Sequence, residues 1–171
     1  MNNLRQEYNS KDTCINTVSA VYKQVTFGLC ETILDYGGGK YDTNAQYMKE
    51  SRNCTVLVYD PYNRSSEHNR KVLNYFTKRP AHNVVCSNVL NVIKEDEVIL
   101  SILRHIYSLM SKNGFLYIKV YERDKSGRGC KTTKGWQRNQ KLVDYIPFIE
   151  NAFGKHCRIE KKKDILIVEK L

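Results

Sequence analysis

At 171 residues the chain is sized for one domain with a real core, since folding at this length hides roughly 70% of the unfolded chain's surface, and a small disulfide scaffold is not needed. The net charge is +10, and Lys119–Leu171 carries half of the 28 Lys and Arg against 7 of the 18 acids, so +7 sits in the last third. That asymmetry fits an acidic partner, nucleic acid first, or simply a solvated basic face that keeps the protein soluble.

In chain order, MNNLRQEYNSKDT has no apolar run of the kind a secretory leader carries. Val18, Val21, Tyr22 and Val25 recur at helical spacing and predict a short amphipathic helix within Asn16–Phe27. Thr32–Asp35 reads as a strand that runs into Gly37-Gly38-Gly39. Thr43-Asn44-Ala45-Gln46 then matches the capping-box pattern and predicts a helix over Asn44–Ser51. The uncharged β-branched run Thr55–Tyr59 predicts a strand buried on both faces and stopped by Asp60-Pro61. Ser65 or Ser66 caps a helix to about Thr77, closed by Pro80. Asn83–Ser87 is a third strand, and Ile99, Ile102, Leu103, Ile106 and Met110 form one stripe of a helix over Glu95–Met110.

Asn113-Gly114 is expected to turn the chain into a fourth strand, Phe115–Tyr121. Glu122–Gly135 has no periodicity and reads as a long loop. Trp136–Phe153 reads as a helix that Pro147 must break, kink or restart, and Cys157–Glu160 with Ile165–Glu169 reads as a closing antiparallel pair. No repeat or linker divides the chain, so residues 1–171 are expected to form a single domain.

Strands alternating with helices predict an α/β fold: a three-layer, doubly wound, Rossmann-like and mostly parallel sheet with an antiparallel final strand. Ligands on such sheets bind at the carboxyl ends of strands near the switch point. The six cysteines are scattered with no CxxC pair and no Cys/His cluster at zinc spacing, so reduced thiols and no metal are expected, in a cytoplasmic protein. No window approaches the length of apolar chain that a membrane span needs.

Two strand ends draw attention. After the first come Asp35 and the glycines, which suit a turn with positive φ or a ligand lying against bare backbone at a helix start. After the second comes Asp60, about 20 residues past the glycine loop, where a carboxylate can accept from both hydroxyls of a ribose. Each alone is as often a plain turn. Together, in this order, they favour a nucleoside cofactor. GxGxxG is absent, because Gly37 and Gly39 are followed by Lys40, Tyr41 and Asp42, which argues against a dinucleotide. No GxxxxGK[ST] occurs, which argues against a phosphate-cradling hydrolase.

ILDYGGG resembles the first motif of class I S-adenosylmethionine-dependent methyltransferases, and TVLVYDP resembles their second, with Asp60 as the ribose acid. NVVCSNVLNVI resembles their fourth strand and its loop, and HIYSLMSKNGFLYIKVYE their next helix, turn and strand. The resemblance spans Thr32–Glu122. More narrowly, DYGGGKYD, SNVLNVI and GWQRN are similar to small methyltransferase-like proteins of phage and bacterial defence neighbourhoods, including those associated with DNA phosphorothioation. The resemblance implies S-adenosyl-L-methionine as cofactor. It places Asp35, Gly37, Gly38 and Gly39 at the methionine and its backbone approach, Asp60 and Pro61 at the ribose, Tyr62 against the adenine, and Ser87 and Asn88 beside the methionyl part or the acceptor. Departures are Tyr41 where a third glycine is usual, His82-Asn83 where many relatives have an acid, and a short Asp60–Val84 stretch that leaves the sheet without an edge strand.

The (N/D)PP(Y/F) tetrapeptide of base amino methylation and a PC dipeptide are both absent after the fourth strand, where Ser87-Asn88-Val89-Leu90 stands. Candidate catalytic groups are therefore Glu122, Tyr121 and Asn88. Glu122 would serve as general base or substrate orienter, or is a solvated carboxylate. Trp136 is a base-stacking platform or an anchor for its loop. Arg123, Lys125, Arg128, Lys131, Lys134 and Arg138 suit a groove that tracks DNA or RNA phosphates. Two readings follow: a methyltransferase acting on nucleic acid or a nucleotide-like molecule in the cytoplasm, the host's if phage-encoded, or an inactive protein of that fold that docks nucleic acid or a protein.

Overall fold

The computed structural model describes residues 6–171. The elements run α1 (Ala20–Gln24), β1 (Thr32–Tyr36), α2 (Thr43–Arg52), β2 (Thr55–Tyr59), α3 (Ser66–Lys78), β3 (Ala81–Ser87), α4 (Asp96–Leu109), β4 (Met110–Lys119), β5 (Cys130–Thr132), β6 (Gly135–Gln137), α5 (Ile146–Phe153), β7 (Cys157–Lys162) and β8 (Ile165–Lys170). Six strands form one sheet in the order β2-β1-β3-β4-β8-β7, and β5 pairs with β6 apart from it. β1, β2, β3 and β4 are parallel, while β8 runs antiparallel to both β4 and β7.

Strand side chains alternate between two faces, and each face has its own core. Leu34, Val84, Cys86, Leu116, Ile118 and Leu166 pack against α3, α4 and α5. Ile33, Val56, Val58, Val85, Tyr117 and Ile165 pack with α1 and α2. The expected stripe on α4 is present: Ile99, Leu103 and Ile106 are fully buried. β2 is the outer strand on its side, as the short Asp60–Val84 stretch predicts. His68 reaches from α3 to the Val58 carbonyl at 2.7 Å, which blunts that open edge.

Local details refine or change the sequence expectations. The helix expected within Asn16–Phe27 is only Ala20–Gln24, because Ser19 caps it by accepting from the Val21 N–H at 3.3 Å. The capping box at Thr43 does not form. Asp42 holds the N-cap position, and the Thr43 hydroxyl donates to Asn16 Oδ1 at 2.6 Å. Asn113-Gly114 is a bulge inside β4, since the register passes from Ala81↔Met110 to Asn83↔Phe115. A Cβ at Gly114 would lie 3.0 Å from the Ala81 and His82 carbonyls, so the close approach of β3 demands glycine there. The Glu122–Gly135 loop contains a strand, Cys130–Thr132, that pairs with Gly135–Gln137. Pro147 restarts the chain as α5 after a 3-10 turn, Leu142–Tyr145.

Candidate functional site

β1 pairs with β2 on one side and β3 on the other, so the sheet's switch point lies at the carboxyl end of β1. The glycine loop leaves β1 at that point. Gly37 and Gly39 have φ of 79° and 78°. The Gly37 N–H donates to the Tyr59 carbonyl at 2.7 Å, and the Gly39 N–H donates to Asp60 Oδ2 at 2.9 Å. A Cβ at Gly37 would stand 2.5 Å from Val89, one at Gly38 2.6 Å from the Asp35 carboxyl carbon, and one at Gly39 2.9 Å from Cys14 Sγ. These glycines thus satisfy tight packing within the protein, and they also line a groove of about 1760 Å³. That exceeds the roughly 300–1,000 Å³ of an ordinary small-molecule pocket and leaves room for a nucleoside cofactor and a second molecule.

Asp35 is 2% exposed at the groove wall. Burial pushes its carboxyl up to about 6, opposed by the Asn44 amide, which donates to Oδ2 at 3.0 Å. The Asn44 Oδ1 in turn accepts from the Ser19 N–H at 2.9 Å, and the Ser19 and Ser87 hydroxyls are 2.8 Å apart. Asn44, unremarked in the sequence beyond its cap pattern, therefore ties the acid of β1 to the segment that precedes α1. Nothing local in the sequence announces that tie.

Asp60 does more structural work than a ribose acid requires. Oδ1 accepts from the Tyr62 and Asn63 N–H groups and from the Asn63 amide, whereas among the described residues Oδ2 accepts from Gly39 alone. Oδ2 retains acceptor capacity toward the groove. Pro61 and Tyr62 also line it. Arg64 donates to the Gly39 and Tyr41 carbonyls and pairs with Asp42 at 2.7 Å, so a charged clamp holds the loop where relatives place a third glycine. Tyr41 itself is outside the groove lining and has no positive φ. His82 and Asn83 lie at the opposite end of the sheet from the site, because they start β3.

On the β3 and β4 side, Ser87, Asn88 and Tyr121 line the groove. Asn88 takes φ 59° and its N–H donates to the Lys119 carbonyl at 2.8 Å. Tyr121 is 61% exposed. Glu122 does not join them, which corrects its reading as a base. Its Oε1 accepts from the Leu142 N–H at 2.7 Å, Oε2 pairs with Lys125 at 3.3 Å, and the Leu142 bond holds the carboxyl below its usual range. Arg138, expected at phosphates, is also corrected. It is buried, pairs with Asp96 at 2.6 Å, and donates to the Ile93 and Lys94 carbonyls. Arg123, Lys125, Arg128, Lys131 and Lys134 are exposed.

Trp136 is an anchor. Its ring stacks on Tyr8 with centroids 5.5 Å apart, Lys94 lies over both rings, and Lys94 also pairs with Glu7. This clasp fastens residues 6–19 as a strap along the groove. Gln137 continues the anchoring, donating to the Tyr121 carbonyl at 2.7 Å and accepting from Asn91 at 3.1 Å. At the β2 side, the Tyr36 hydroxyl meets His105 Nδ1 at 2.8 Å beside Tyr59, and burial lowers the histidine's pKa. The Cys86 thiol is fully buried and pushed up by that burial, so it is no nucleophile.

Residues 15–165 match a family described as methyltransferase domain. Among solved structures, a SAM-dependent methyltransferase from Methanosarcina mazei is similar at TM-score 0.59 and 10% identity, covering 91% of this chain and 99% of that one. The Burkholderia thailandensis 1,6-didemethyltoxoflavin-N1-methyltransferase is similar at TM-score 0.57 and 15% identity, over 81% of this chain and 70% of that one. PigF with SAH is similar at TM-score 0.55 and 18% identity over 88% of this chain, which spans 53% of PigF. These likenesses are of fold. No curated protein matches the sequence.

Proposed function

The chain belongs to the methyltransferase domain family, and we propose that it transfers the methyl group of S-adenosylmethionine to an acceptor that is nucleic acid or a nucleotide-like molecule, in a cytoplasm. The observation that carries the cofactor half is Asp35. A desolvated carboxylate with its pKa pushed up to about 6 at a groove wall has no ion-pair partner among the described residues, Arg64 acting on it only as a weaker charge influence, and the methionyl ammonium is a cation of the right kind. Asp60 Oδ2 suits a ribose hydroxyl, Pro61 and Tyr62 the adenosine side, and the glycine backbone the part between. The groove's residues therefore fit the cofactor, which when bound supplies an already activated methyl group.

Ser87, Asn88 and Tyr121 sit toward β4 and would orient the acceptor by hydrogen bonds. Ser87 and Asn88 carry no basic group, so the reading rests on holding a nucleophile in line rather than on a strong base. The exposed cations of residues 123–134 support a phosphate-bearing acceptor. One observation favours a second reading, an inactive fold that docks nucleic acid or protein: Glu122, the acid that follows β4, is spent on Leu142 and Lys125.

Calorimetric titration with S-adenosylhomocysteine tests the first reading. Binding is expected, weakened about tenfold or more by Asp60→Asn, as for a lost hydrogen bond to a charged group. Absence of heat at high micromolar ligand removes the cofactor reading. Binding without transfer of a labelled methyl to DNA, RNA or nucleotides leaves the second.

A further inference from the structure

Two basic segments far apart in sequence lie at the end of the sheet where the groove opens. β8 runs antiparallel to β4 with Ile118 opposite Leu166, and Lys162 stands opposite Ile165 in the β7–β8 hairpin. The turn of that hairpin therefore lies at the carboxyl end of β4, where the chain passes through Lys119 and Val120 to Tyr121. An ion pair between Lys119 and Asp164 fastens the two, and Lys161 lies near enough to Glu122 to contribute to its lowered pKa. Lys161, Lys162 and Lys163 thus extend the cationic surface begun by Arg123, Arg128, Lys131 and Lys134. All are exposed. Among the described residues, Arg128, Lys131, Lys134, Lys162 and Lys163 have no ion-pair partner. Tyr121, 61% exposed, stands between the two segments and also lines the groove.

We propose that the Lys161–Lys163 turn and the 123–134 segment form one composite surface for the backbone of a single-stranded polynucleotide, with Tyr121 stacking on an unpaired base at the entrance to the groove. This rests on the reading of the groove as a methyl-transfer site. Cations on two elements that flank a recessed groove suit a backbone passing across its mouth. A base within a duplex cannot enter such a groove without leaving its stack, whereas a base in a single strand is already free. The turn itself is polar from Lys161 through Asp164, with no apolar side chain to enter a bilayer.

The test is fluorescence anisotropy with a short labelled DNA single strand and its RNA counterpart, titrated over about 50 to 200 mM salt. The wild type is expected to bind with a steep salt dependence. Lys161→Gln/Lys162→Gln/Lys163→Gln should lower the salt slope by about 2, the value for three lost phosphate contacts on a single strand. Tyr121→Ala should weaken single-strand binding about tenfold and leave the slope as it was. DNA tighter than RNA, or the reverse, tells which sugar is preferred. Failure of the wild type to bind either strand, an unchanged slope in the triple variant, or equal competition by anionic vesicles overturns the proposal. Titration of the triple variant with S-adenosylhomocysteine reports on the fold and on the cofactor site separately, so failure there in the wild type brings down the transfer reading by its own route.

Discussion

Asp35 is the residue on which the site turns. Its pKa of about 6 in the folded chain lies above the ordinary carboxyl value of 3.8 because burial disfavours its charge. The folded state then holds the proton more tightly than the unfolded state. Stability from this group is full below pH about 4, falls as pH rises toward 6, and stays lost above, by about 3 kcal/mol. Asp35→Asn should therefore raise the unfolding free energy measured by denaturant at pH 7 and flatten its decline between pH 4 and 6. The ligand side has the opposite sign. An ammonium needs the ionised carboxylate, so affinity for S-adenosylhomocysteine should be flat above pH 6 and fall as pH drops below it, a transition that Asp35→Asn abolishes.

At the scale of elements, the strap of residues 6–19 and the β5–β6 hairpin depend on each other. Tyr8 stacks on Trp136, Lys94 spans both, and a Cβ at Gly135 would come 3.1 Å from the Asn9 carbonyl. Trp136→Ala removes the shared ring, worth about 0.5–1.5 kcal/mol beyond its area. Amide exchange should quicken in residues 6–14 and in the hairpin while β1, β3 and β4 stay protected. Equal exchange in wild type and variant would mean the clasp holds nothing. α3 gives a second check: Ser65 accepts from the His68 N–H at 3.2 Å, and Ser65→Ala should cost about 1 kcal/mol in denaturant unfolding.

At the scale of the whole molecule, both helical layers hang on one sheet, and α4 is the best-buried helix of its face. Leu103 is 0% exposed within the core shared by α3, α4 and α5. Leu103→Ala should lower the unfolding free energy by about 2–5 kcal/mol. The reach of local sequence can be read element by element. β2 and α4 were legible because their patterns, an uncharged β-branched run and a full apolar stripe, are repeated many times over a few residues. The short helix within Asn16–Phe27 is present, but its start was not legible, because Asn16 and Ser19 spend their polar groups on Thr43, Asn44 and Ser87, which lie far along the chain.

The candidate site divides in the same way. Asp35, the glycines and Asp60, which the fold brings together at the switch point, are readable because they stand at the ends of two successive strands, where the strand pattern stops. Glu122 and Arg138 look free in sequence, and only the folded chain shows them bound to Leu142 and Asp96. Sequence alone determined the fold class and the sign of the charge, since the first is written in periodicity and the second in composition. Tertiary structure alone decided which charges remain available, which aromatic anchors and which stays open, and that two basic segments lie at the same end of the sheet. Those outcomes depend on hydrogen bonds and burial between residues tens of positions apart, and no local pattern encodes them.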